Sequence, residues 1–117
     1  LKVLVVDDDA GLRFAVSSTL KNAGRFAVEE AVDGMHALER FENQKYDVVL
    51  LDVDMPRLNG LETLKKIKSE RPQTIVIIMT AYATINDAVV AVKEGAYNYL
   101  SKPVKGEELI QLIDRSI

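Results

Sequence analysis

Three uninterrupted apolar runs punctuate the chain: Val3-Leu4-Val5-Val6, Val48-Val49-Leu50-Leu51 and Ile75-Val76-Ile77-Ile78-Met79. Two further runs, 26–31 and 97–100, mix apolar with polar residues. Between them, apolar positions recur at the three-to-four spacing of an amphipathic helix. Leu12, Ala15, Val16, Thr19, Leu20 and Ala23 form one such series, closed by Gly24. Asp33-Gly34 opens a second, with Met35, Leu38 and Phe41 on one side. Leu61, Leu64 and Ile67 form a third, with Pro72 beyond them as a stop. Thr84 and Asp87 have the spacing of a capping box before Ile85, Ala88, Val89 and Val92, and Gly95 closes that helix. Leu109, Ile110, Ile113 and Ile117 line the last. The pattern predicts five strands alternating with five helices.

Such alternation implies an α/β fold, a parallel sheet with helices on both faces. Strands buried on both faces read as continuous apolar runs. The runs at 3–6, 48–51 and 75–79 are therefore central, and those at 26–31 and 97–100 lie outside them. Right-handed crossovers then give the order 2-1-3-4-5. In that order the winding reverses between strands one and three, and ligands bind beyond the carboxyl ends of the strands at that point.

The residues at those ends carry the chemistry. Strand one runs into Asp7-Asp8-Asp9, and strand three into Asp52-Val53-Asp54-Met55-Pro56. Strand four ends at Thr80-Ala81, and strand five at Ser101-Lys102-Pro103. Asp7, Asp8 and Asp52 against Lys102 leave a local charge of −2, which a divalent cation cancels. An all-oxygen donor set suits a hard ion such as Mg²⁺. An Asp carboxylate beside such a metal is a competent nucleophile toward phosphorus. A lysine and a hydroxyl, Lys102 and Thr80, would meet the phosphoryl oxygens.

Composition narrows the alternatives. The 117 residues fit one domain, and an apolar fraction of 48% is that of a folded chain. The absence of Cys excludes a disulfide scaffold, a Cys-based zinc site and a thiol nucleophile. A single His, His36, excludes most His-rich metal sites. A net charge of −3 gives no electrostatic reason to bind nucleic acid or an anionic membrane. No apolar run approaches the roughly 20 residues of a membrane span, and the cytoplasm is the default compartment. The chain begins at Leu1 and stops at Ile117 within a helical pattern, so it is expected to be a piece of a longer protein.

Taken together, these residues resemble a receiver domain of two-component response regulators, across essentially all of 1–117. The matching set is Asp7-Asp8, then Asp52 with Met55-Pro56 and Gly60, then Thr80-Ala81, then Tyr99 with Lys102-Pro103. The resemblance implies a single flavodoxin-like, doubly wound (βα)5 domain. It implies that Asp52 accepts a phosphoryl group from a phosphohistidine on a sensor histidine kinase. It implies Mg²⁺ held by Asp8, Asp52 and the backbone carbonyl of Asp54, with Asp7 acting mainly through water. Thr80 and Lys102 would hold the phosphoryl oxygens, and Tyr99 would turn inward with Thr80. Lys102-Pro103 would be a cis peptide. Slow self-phosphorylation and dephosphorylation are expected, tuned by Asp54 and Tyr82. An output domain beyond Ile117, and dimerisation through helix 4, strand 5 and helix 5, are also implied. Thr80-Ala81-Tyr82-Ala83 and Gly95-Ala96-Tyr97-Asn98-Tyr99-Leu100 resemble the regulators of enhancer-dependent transcription.

Rival readings use the same residues. Asp52-Val53-Asp54 also resembles the Asp-x-Asp motif of haloacid-dehalogenase-type phosphatases, although that motif usually follows the first strand of its domain. A flavin-binding module shares the strand order, but the loop after strand one is Asp-rich and lacks a phosphate cradle. Simpler roles are expected for several residues: Asp9 as a helix cap, His36 without chemistry, Lys65, Lys66 and Lys68 as a solvated face, and Met35 and Met79 as core.

Overall fold

The computed structural model describes residues 1–52, 60–80, 85–102 and 104–117, and of residues 60 and 85–88 the backbone only. Strands and helices alternate as β1 (Lys2–Val6), α1 (Ala10–Asn22), β2 (Ala27–Ala31), α2 (Gly34–Asn43), β3 (Val48–Asp52), α3 (Gly60–Glu70), β4 (Ile75–Thr80), α4 (Ile85–Lys93), β5 (Asn98–Ser101) and α5 (Gly106–Ser116). The strands pair in parallel in the order β2-β1-β3-β4-β5. This is the order the apolar runs predict. β3 is buried throughout, β1 and β4 at all but their first residue, while β2 and β5 are buried only in part.

Strand alternation splits the core into two layers. Leu4, Val6, Val49, Leu51, Val76 and Ile78 face α2, α3 and α4, where Phe41, Leu64, Ile67 and Ala91 meet them. Val3, Val5, Val48, Leu50, Ile77 and Met79 face α1 and α5, where Leu20, Leu109, Leu112 and Ile113 meet them. Each such side chain removed from water contributes roughly 1.5–3 kcal/mol. The same alternation decides which strand-end residues share a side of the sheet.

Helix ends follow local chemistry. The Asp9 carboxylate accepts the N–H groups of Gly11 and Leu12, capping α1, and Asp33 accepts that of His36 at the start of α2. The turns after α1 and α4 carry positive φ at Gly24 (80°) and Gly95 (110°), a region open to glycine.

Several helical faces differ from the predicted ones. Met35 is exposed; α2 buries Gly34, Ala37 and Phe41 instead. Val89 and Val92 of α4 are exposed, and the small Ala91 faces the core. Leu112 joins Leu109 and Ile113 inside, while Ile117 is exposed. Lys68 is not a free surface lysine: its ammonium donates to the carbonyls of Pro72 (2.6 Å) and Thr74 (2.9 Å), and burial lowers its pKa. Met79 is core, as predicted. β2 begins at Ala27, and β5 runs from Asn98, one residue later than expected at each start. The Thr84–Asp87 capping box lies outside the described residues.

α5 starts at Gly106 hard against α1. A Cβ there would stand 2.6 Å from Thr19 Cγ2. Gly106→Ala should therefore lower the unfolding free energy by roughly 1–3 kcal/mol, the range for overpacking a close contact, in a urea titration at neutral pH. An unchanged midpoint would mean that α1 and α5 separate without cost.

Candidate functional site

The site grows out of strand register. Val6 of β1 pairs with Leu51 of β3, so the next residues, Asp7 and Asp52, stand side by side at the carboxyl ends. Alternation turns both toward the α1/α5 side, the side of Val5 and Leu50. Both are almost wholly buried, at 1% exposure, whereas Asp8 is exposed. One carboxylate oxygen from each of Asp7, Asp8 and Asp52 lies within 4.8 Å of the other two.

Lys102 reaches this group from the far strand. Leu100 of β5 faces the α1/α5 side, and Lys102, two residues on, keeps that side. Its backbone N–H donates to the Thr80 carbonyl at 2.8 Å. Its ammonium lies 3.0 Å from Asp7 Oδ2 and 3.1 Å from Asp52 Oδ2. Burial pulls its pKa down, but the hydrogen bonds and charges of Asp7 and Asp52 outweigh burial and leave it above the ordinary 10.5.

The remaining Asp7 contacts fix the strand end. Asp7 N–H donates to Ala31 O at 3.2 Å, and Asp9 N–H donates to Asp7 Oδ1 at 2.9 Å. Arg13 of α1 donates from Nη1 to the Asp7 carbonyl at 2.8 Å and from Nε to Glu30 Oε1 at 2.9 Å. Sequence reasoning missed Arg13 and Glu30. The one signal was spacing: Arg13 lies one turn before Ser17 and two before Leu20, both buried, so a charge sits on a buried face.

Thr80 ends β4, 4% exposed. Alternation gives its side chain the face of Ile78, the face on which Tyr99 packs, half-buried, against the α2–α4 layer. The predicted residues thus fall into two sets. Asp7, Asp8, Asp52 and Lys102 come together, and Thr80 and Tyr99 share the opposite face of neighbouring strands. Asp54, with its carbonyl, and also Met55, Pro56, Ala81, Tyr82 and Pro103, lie outside the described residues. His36 is occupied locally: Nδ1 accepts Val32 N–H, and the ring contacts Arg40.

The donors fit a hard divalent cation. All are carboxylate oxygens, and two are buried beside a single ammonium. Oxygens bound to Mg²⁺ at about 2.1 Å stand at most about 4.2 Å apart, so small side-chain rotations bring the cluster to bonding distance.

Two expectations follow from this charge distribution. Asp52→Asn, which leaves one buried carboxylate for one ammonium and so relieves like-charge repulsion, should raise the melting temperature of the metal-free protein. Thermal melting with and without Mg²⁺ reads it: the wild type should gain more from the ion than the variant. Because Lys102 holds its proton more tightly when folded, its stabilising contribution is complete below pH 10.5 and is lost as pH rises through the higher folded value. Unfolding free energy should therefore fall more steeply on the alkaline side in the wild type than in Lys102→Met.

Known proteins resemble this chain in sequence and fold. Residues 3–114 match the family described as response regulator receiver domain. The chain is 39% identical over 115 residues to the DNA-binding transcriptional regulator NtrC of Escherichia coli K12, covering 98% of this chain and 24% of that protein. It is 41% identical over 107 residues to the transcriptional regulatory protein ZraR of Klebsiella oxytoca, covering 92% and 24%. The chain thus spans about a quarter of the length of the curated relatives it matches. The crystal structure of the Vibrio cholerae chemotaxis protein CheY4 superposes with a TM-score of 0.92 at 34% identity, covering 99% of this chain and 98% of that one. Among the described residues, no helix is long and apolar enough to cross a membrane. With the sheet order, the acidic strand ends and these matches in agreement, the chain belongs to the response regulator receiver domain family.

Proposed function

We propose that this domain is the phosphoryl-accepting switch of a two-component relay, with Asp52 as acceptor. What supports the reading above all is the meeting of Asp7, Asp8 and Asp52 within 4.8 Å, with Lys102 3.1 Å from Asp52. The donor is a phosphohistidine on a sensor histidine kinase. An Asp52 oxygen attacks phosphorus; the new O–P bond forms as the P–N bond breaks, and the electron pair returns to the donor imidazole. Asp7, Asp8 and Asp52, with the Asp54 carbonyl, would hold Mg²⁺, which offsets the repulsion between incoming phosphoryl oxygens and the carboxylates. Lys102 and Thr80 take the transferred oxygens. Slow self-phosphorylation from small donors and slow hydrolysis belong to the same chemistry, so the domain regulates rather than turns over substrate.

The energy is of the right size. Phosphorylation adds about −1.5 to −2 of charge. Charge-assisted hydrogen bonds from Thr80 and Lys102 contribute roughly 1.5–3 kcal/mol each. Inverting a two-state equilibrium from 1:99 to 99:1 needs about 5.5 kcal/mol. Thr80 drawn to the phosphate vacates space on the face it shares with Tyr99, and the surface of α4, β5 and α5 changes. That surface carries exposed Val89, Val90, Val92 and Tyr97, apolar groups suited to a second copy or to an output domain. The output domain follows Ile117 and controls transcription in the cytoplasm, and DNA contact belongs to it rather than to this acidic domain. The phosphatase alternative is set aside: the family match is to receivers, and Asp52-Val53-Asp54 follows the third strand, not the first.

Incubation with a small phosphodonor and Mg²⁺ should add the mass of one phosphoryl group to the intact protein. The increment should vanish in Asp52→Asn and on chelation. An increment that persists in Asp52→Asn sinks the assignment.

A further inference from the structure

The geometry points to Arg13 and Glu30 as positioning residues for Asp8, acting through the peptide that joins Asp7 to Asp8. This inference rests on the proposed cation site and adds to it residues outside the acidic cluster.

Among the described residues, no hydrogen bond or ion pair reaches the Asp8 carboxylate, which is exposed. Its aim is therefore set by its backbone. The peptide before it is held at its oxygen by Arg13 Nη1 at 2.8 Å. The other fasteners grip neighbouring groups: Asp7 N–H on Ala31 O, and Asp9 N–H on Asp7 Oδ1. Neither of those bonds touches the 7–8 carbonyl, so among the described residues Arg13 is the group seen to fix that peptide's oxygen, and with it the backbone from which Asp8 departs. Its side chain is only 16% exposed, and its Nε is anchored 2.9 Å from Glu30 on β2. Glu30 pairs in register with Val5 of β1, so the anchor and the peptide it controls stand on adjacent strands. A planar guanidinium can serve a carboxylate and a carbonyl from different nitrogens at fixed geometry, whereas an ammonium is a point charge on a flexible stem. Groups of this kind, holding metal ligands from behind, typically change metal affinity by 10–100-fold when removed.

Charge and geometry make opposite predictions, which permits a clean test. Arg13→Met deletes a positive charge near a cation site, so electrostatics alone would leave Mg²⁺ affinity equal or tighter. Loss of positioning would weaken it by about tenfold. The experiment titrates Mg²⁺ into wild type, Arg13→Met and Arg13→Lys, following backbone amide resonances by NMR, with thermal melting of each metal-free variant alongside. The expected result is a roughly tenfold weaker affinity in Arg13→Met, a smaller loss in Arg13→Lys, and a displaced Asp8 amide resonance before any Mg²⁺ is added. Equal or tighter Mg²⁺ affinity in Arg13→Met, with or without a lower melting temperature, overturns the inference. Should the Met variant not fold, Arg13→Lys decides on the same readout. A wild type that binds no Mg²⁺ overturns the cation site and this inference with it. A wild type that binds Mg²⁺ but takes no phosphoryl group overturns only the acceptor role of Asp52.

Discussion

Two buried carboxylates sharing one ammonium are the constraint around which this domain is arranged. Asp7 and Asp52 sit where β1 and β3 end in register, and neither is open to bulk water. Their repulsion in a poorly polarisable setting is offset by Lys102, which comes from the end of β5, two places from β3 and three from β1. The sheet order is thus part of the electrostatics. With β4 between β3 and β5 the lysine arrives beside both acids, and the bond from Lys102 N–H to Thr80 O fixes where it leaves the sheet. A packed apolar pair would suit the fold at least as well. On the proposed function, the buried charge is stability given up for reactivity.

The same sheet divides the site between its faces. Asp7, Asp52 and Lys102 lie on the side of α1 and α5, and Thr80 shares the other side with Tyr99. On the proposed function, a change of charge on one face would reach the other through a strand end, and α4 would receive it. Among its described side chains Ala91 is buried and Val89, Val90 and Val92 are exposed, so little apolar contact opposes its displacement.

What the sequence made legible, and what it hid, has a physical pattern. The strand order was readable because two-sided burial leaves unbroken apolar runs at 48–51 and 75–79 that no edge strand needs. The acidic cluster was readable because strand ends in a doubly wound sheet converge, so Asp7, Asp52 and Lys102 needed only correct strand assignments. The helical faces were less legible. In α4 the run Val89-Val90-Ala91-Val92 is apolar all round, and close approach to the sheet selected the small Ala91 rather than the bulkier valines. Met35 failed for a related reason: Gly34 and Ala37 let α2 sit close to the sheet, and the long side chain was left outside. Lys68 and Arg13 were hidden because their acceptors include backbone carbonyls, which have no residue signature.

On the proposed reaction, Lys102, rather than the acids proposed as metal ligands, is the group whose surroundings would change most. In that reaction Asp7 and Asp8 keep their carboxylates, which would go on holding the cation. Asp52 alone changes: one carboxylate oxygen becomes the bridging oxygen of an acyl phosphate, and negative charge moves outward onto the phosphoryl group. The ammonium now divided between Asp7 and Asp52 loses half of its reason to stay and gains a stronger acceptor further out. Lys102 is tied to Thr80 through its own backbone N–H. A pull on its side chain and a pull on the Thr80 hydroxyl therefore act on one junction, the parting of β4 and β5. On the proposed reaction, a displacement at that junction would act on the two strands that lead in sequence to α4 and α5.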